Sequence, residues 1–119
     1  MTTPSGPIAL GRGHRTHGFH AVSVDEEGGV AIALSIRLGD CDSRDHYVLD
    51  VVDLGTRTVT RLLEGDGQLL AELGPDHALY VQTRADGLRR YADPRGDSFE
   101  TLLDGIGLSS RPWDYNPYC

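Results

Sequence analysis

Residues 53–65 and 93–105 align without a gap at an offset of 40 positions. Asp53 falls on Asp93, Leu62-Leu63 on Leu102-Leu103, Gly65 on Gly105, and Glu64 on the equally acidic Asp104. Upstream, Val30 to Ser35 aligns on Ala78 to Thr83 at an offset of 48, so the first unit carries about eight further residues. Those are most simply placed in the loop around Arg37 to His46. A chain with this internal match has one supersecondary plan to use twice, or else two similar β-meanders made alike by their turn chemistry.

The plan is a β one. Val, Ile, Tyr and Phe recur in short runs punctuated by Gly, Asp and Pro, and no long stretch carries a clean helical period. Phe19, Val22 and Val24 alternate with polar residues, Gly28-Gly29 turns the chain, and Val30 to Ile36 returns as a second strand. Tyr47 to Val52 and Val59 to Leu63 read as the third and fourth, around the turn Leu54-Gly55-Thr56. The second half gives Leu69 to Leu73, Ala78 to Thr83, Leu88 to Ala92 and Phe99 to Leu103, separated by turns at Gly74-Pro75-Asp76, Asp86-Gly87 and Asp93 to Gly96. The expectation is therefore an all-β domain over 18–108, with a first repeat at 18–65 and a second at 66–107. A flexible arm (1–17) precedes it and a Pro and aromatic tail (109–119) follows.

Leu73-Gly74-Pro75-Asp76-His77-Ala78-Leu79-Tyr80-Val81, followed by Gly87-Leu88-Arg89-Arg90-Tyr91 and Glu100-Thr101-Leu102-Leu103, resembles the strands and the Ser-Pro-Asp-Gly turn of TolB-like and WD40-like β-propeller repeats. The likeness covers about residues 18–107. It implies two four-stranded antiparallel blades. Gly74 stands where the pattern has Ser, His77 where it has Gly, and no Trp-Asp pair ends either unit. Propellers close with roughly four to eight blades, so two cannot make a ring. The apolar faces left over must be covered by self-association, or by packing the two sheets on each other as a small sandwich or barrel.

Charge narrows the partners. Eighteen acidic side chains against eleven basic ones give a net charge of -7, which repels phosphate backbones and argues against nucleic acid. All the basic residues are Arg, which excludes Schiff-base chemistry and a P-loop lysine. No apolar run approaches the roughly 18 residues of a membrane span, and Met1 to Leu10 has neither the basic start nor the apolar run of a leader. Two cysteines, Cys41 and Cys119, are too few for a disulfide framework, so a reducing, cytoplasmic setting is expected.

Three constellations carry chemistry worth weighing. His14, His17 and His20 stand three apart and offer imidazoles to Zn or a similar ion, although Gly13 and Gly18 disfavour the helix that would align them. Asp40, Asp42 and Asp45 gather hard oxygens suited to Ca²⁺ or Mg²⁺ in a loop that lacks the Gly and distant Glu of an EF-hand, and so also reads as a solvated hairpin tip. The tail holds Arg111, Trp113, Tyr115 and Tyr118, residue types that anchor interfaces. Its terminal Cys119 also fits a precursor whose end is enzymatically modified.

No G-x-S-x-G, H-E-x-x-H, C-x-x-C or G-x-G-x-x-G pattern occurs, and Asp53 and Asp93 fit turn caps better than an acid and base pair. The expectation is an acidic, non-catalytic binding or assembly module without cofactor, self-associating and engaging protein through Arg111, Trp113, Tyr115 and Tyr118. The competing readings are a metal site on the N-terminal histidines, with or without an enzymatic activity, and the modified precursor.

Overall fold

The structure, a computed structural model, describes residues 18–39 and 44–105. Eight strands follow in order: β1 (Gly18–Asp25), β2 (Val30–Arg37), β3 (His46–Asp53), β4 (Thr58–Asp66), β5 (Leu69–Leu73), β6 (Leu79–Thr83), β7 (Gly87–Tyr91) and β8 (Glu100–Leu103). They form two antiparallel four-stranded meanders, β1-β2-β3-β4 and β5-β6-β7-β8, without closing into a barrel. The described residues contain no helix longer than a single turn.

Side-chain size sorts β2 into two faces. Val30, Ile32, Leu34 and Ile36 point one way and join Leu49 and Val51 of β3 in the core cluster. Leu69, Leu79, Val81 and Tyr91 of the second sheet complete that cluster, so the two sheets share one core. Each fully buried Leu or Val there contributes about 1.5–3 kcal/mol of transfer free energy. The other face of β2 carries the small residues Ala31, Ala33 and Ser35, paired across to Val52, Asp50 and Val48 of β3. These residues are buried as well, so β2 and β3 are shielded on both faces.

Each meander carries the same irregularity. The register shifts between Leu49 and Asp50, where Leu49 faces Leu63 and Asp50 faces Arg61. In the second sheet it shifts between Leu88 and Arg89, where Leu88 faces Leu103 and Arg89 faces Thr101. The unopposed residues are Leu62 and Leu102, which the offset of 40 superposes in sequence. A bulge bends and twists its strand, so the outer strand of each sheet leaves its neighbour at a corresponding point.

His77 explains a departure noted in sequence. Its φ of 66° is the left-handed conformation that the glycine of a Ser-Pro-Asp-Gly turn ordinarily supplies. Histidine tolerates that region better than branched residues do, and here its ring is held by a partner across the sheet interface.

Candidate functional site

Because the meander reverses at every turn, the β1–β2, β3–β4, β5–β6 and β7–β8 turns collect at one end of the molecule. Charged groups there join the sheets. His77 Nδ1 lies 2.7 Å from Asp25 Oδ2, and its Nε2 lies 4.0 Å from Glu27 Oε1. Arg95 donates from Nε to Asp53 Oδ2 at 2.8 Å and from Nη2 to the carbonyls of Gly28 (2.8 Å) and Gly29 (3.1 Å). The Gly28 N–H on Asp25, and then His77, hold the Asp25 carboxyl below the usual range; Asp25 in turn raises His77. The Thr56 N–H, followed by Arg95, lowers Asp53.

These carboxylates also finish their own turns. Asp53 Oδ1 accepts from the N–H of Gly55 and Thr56, and Asp93 Oδ1 accepts from the N–H of Arg95. Both aspartates therefore cap turns, and their oxygens are committed to backbone donors and Arg95. The cluster is arranged to hold the sheets together and offers no positioned nucleophile.

The opposite end opens into a cleft of about 340 Å³ between the sheets, lined among others by Tyr47, Asp66, Gln68, Thr83 and Arg84. Beside it His46 places Nδ1 3.1 Å from Asp66 Oδ1 and Nε2 2.9 Å from Glu64 Oε2. Both nitrogens donate only when the ring is protonated, and Asp66, then Glu64, raise its pKa accordingly. The chain of charges continues from Glu64 to Arg61 (3.0 Å) and from Arg61 to the buried Asp50 (3.1 Å).

Of the residues singled out in sequence, His14, His17, Asp40, Asp42, Cys41, Arg111, Trp113, Tyr115, Tyr118 and Cys119 lie outside the described residues. His20 is exposed on β1 opposite Ser35. Asp45 is used structurally: its carboxylate accepts from the Gly39 N–H and from Gln68 Nε2, and its carbonyl accepts from the Gly67 N–H. Among the described residues no three His, Cys, Asp or Glu side chains converge to hold a metal ion. No helix of these residues is long and apolar enough to cross a membrane.

A different surface emerges on the second sheet. Leu70 pairs with Gln82, Gln82 with Leu88, and Leu88 with Leu103, so these four form one row across β5, β6, β7 and β8. The row faces away from the core, with Leu70 56% and Leu103 51% exposed. Next to it runs a polar row, Glu72, Tyr80, Arg90 and Glu100. Asp76 ties this row to the β5–β6 turn by accepting from the Tyr80 hydroxyl (2.8 Å) and from Arg90 Nε (3.1 Å), the hydroxyl being the main cause of its lowered pKa. The sequence signal for the apolar row was weak, because in the doublets Leu69-Leu70 and Leu102-Leu103 alternation alone does not say which leucine faces the core.

No known family, curated protein or solved structure matches the chain.

Proposed function

We propose that the protein is a non-catalytic protein-binding and assembly module, built on two sheets of the TolB-like or WD40-like blade kind. The observation that carries this reading is the exposed leucine row on the second sheet, set on a scaffold whose turns are locked by His77 and Arg95. Rigid sheets hold such a surface ready for contact, which lowers the ordering cost of association. The corresponding bulges at Leu62 and Leu102 support the blade reading. In this proposal Arg111, Trp113, Tyr115 and Tyr118 add anchors from the tail, each worth on the order of 2 kcal/mol when buried in an interface.

Deletion of residues 109–119 tests the tail's part. Weakened self-association by light scattering, or weakened retention of a protein partner in affinity capture, is the expected result. Unchanged mass together with unchanged capture removes the tail from the binding surface.

A further inference from the structure

We infer that residues 1–17 of this chain lie over the outer face of the first sheet, with Ile8 and Leu10 seated on the trough of small side chains along β2. This goes beyond the proposed function and does not depend on it.

Three rows across β1, β2, β3 and β4 make up the face. His20, Ser35, Val48 and Glu64 form one, Val22, Ala33, Asp50 and Arg61 the next, and Val24, Ala31, Val52 and Val59 the third. The face points away from the second sheet, because the shared core lies on the opposite side of β2, at Val30, Ile32, Leu34 and Ile36. No described strand covers it. Its centre is nevertheless closed to solvent: Val48 is 2%, Asp50 1% and Val52 6% exposed, and Ala31, Ala33 and Ser35 are buried with them. At the β1 margin Val22 and Val24 stand 68% and 54% exposed.

The second sheet provides the comparison within the molecule. It has the same strand order, and the outer side of its central strands keeps Tyr80, Gln82, Leu88 and Arg90 partly accessible. The closed centre of the first sheet therefore calls for a cover, lying over β2 and β3 rather than over β1.

Outside the described residues the chain has 1–17, 40–43 and 106–119. Residues 40–43 are tied at both ends into the β2–β3 loop and are too few to return along the face. Residues 106–119 leave from Gly105, which lies against the Arg84 and Ala85 carbonyls of the second sheet, so they would have to pass round a whole sheet. Residues 1–17 lead straight into β1, at the margin of the face. From Gly18, opposite Arg37, to Val24, opposite Ala31, the strand runs about 20 Å. Residues 11–17, extended, span up to about 25 Å and so can carry Leu10 to any point along it. Gly11 and Gly13 permit the reversal.

The side chains fit as well. Ile8 and Leu10 are two apart, so an extended segment turns both to one side at the same spacing as Ala31, Ala33 and Ser35 on β2. Small residues there, beside Val48 and Val52 of β3, leave the depth that large aliphatic side chains fill. Charge agrees: residues 1–17 carry Arg12 and Arg15 and no acidic residue, and all eighteen acidic side chains come later in the chain. Among these Glu64 stands on the face, and Glu26 and Glu27 lie at the β1–β2 turn.

The experiment is methyl-resolved NMR on the full chain, alone and as a mixture of isotope-labelled and unlabelled protein. Nuclear Overhauser contacts from the Ile8 and Leu10 methyls to those of Ala31, Ala33, Val48 and Val52, within one molecule, are the expected result. A form carrying both I8D and L10D should lose them and shift the Ala33, Val48 and Val52 signals while leaving the core signals of Leu69 and Leu79 in place. Absence of these contacts in the unaltered chain overturns the inference whether or not the variant folds. So do contacts from Trp113 or Tyr115 to the same methyls, which would make the tail the cover, and contacts seen only between labelled and unlabelled molecules, which would make it a second copy. Contacts of Ile8 and Leu10 with Leu88 and Leu103 instead would place the segment on the wrong sheet and equally refute it.

Discussion

Leu69 and Leu70 are neighbours on β5 with opposite fates, and the difference can be measured. Leu69 is fully buried in the cluster that joins the two sheets, whereas Leu70 stands more than half exposed on the outer face. Leu69→Ala removes buried methylenes and leaves a cavity between sheets whose turns are pinned at one end, so collapse is limited. The expected loss is about 2–5 kcal/mol. Against a typical total of roughly 5–15 kcal/mol this is a large fraction. At about 4–8 °C per kcal/mol for a domain of this size, a 3 kcal/mol loss lowers Tm by about 12–24 °C.

Leu70→Ala, one position further along the strand, costs about 0.5 kcal/mol or less. The assay is urea and thermal unfolding by far-UV circular dichroism. Equal losses for the two variants refute the reasoning, and a larger loss at Leu70 would mean a one-residue slip of β5 that exchanges the two faces.

Titration of His77 and His46 gives a second expectation. Both imidazoles have folded pKa values raised by their carboxylates, so their contribution is fully present below the unfolded value near 6.5 and is lost as pH rises through the folded values. Tm should fall from pH 6 toward pH 8–9, and His77→Gln should flatten part of that slope; an unchanged slope in H77Q contradicts the inter-sheet contact. Gly87 provides a third. Its φ is 76° and an added Cβ meets the backbone carbonyl of Leu103, so Gly87→Ala should cost more than the about 1–2 kcal/mol of left-handed strain alone. Gly29, with φ 72° and only the Arg95 guanidinium nearby, should lose less on the same change, and equal losses measured by urea unfolding would count against the contact at β8.

The strands were legible because each is a short apolar run between turn residues. Every segment expected from sequence holds a strand, including the second-half set at Leu69–Leu73, Leu79–Thr83, Gly87–Tyr91 and Glu100–Leu103. The faces of β2 were legible too, since Val-Ala-Ile-Ala-Leu-Ser-Ile alternates large with small. The clamps between the sheets were not. His77 meets Asp25 from 52 residues away and Arg95 meets Asp53 from 42 away, and no local pattern announces a contact made only when two sheets pack. His77 stood out in sequence only for occupying a glycine's place, and the structure gives the reason: the ring gains a carboxylate partner from that strained turn position.

Laying the offset of 48 on the strands also shows where the two halves part. Ala31, Ala33 and Ser35 fall on Leu79, Val81 and Thr83. In the second sheet Leu79 and Val81 fill the shared core, so that face is shaped to pack on a broad apolar neighbour. The corresponding face of the first sheet presents small side chains on β2 beside Val48, Asp50 and Val52 on β3. A further sheet approaching it as the second sheet approaches the first would meet too little volume on β2 and, at Asp50, a buried carboxylate held by Arg61. Unfilled space and a displaced ion pair both cost free energy. The turns and bulges have kept one backbone plan while the side chains on its faces have diverged.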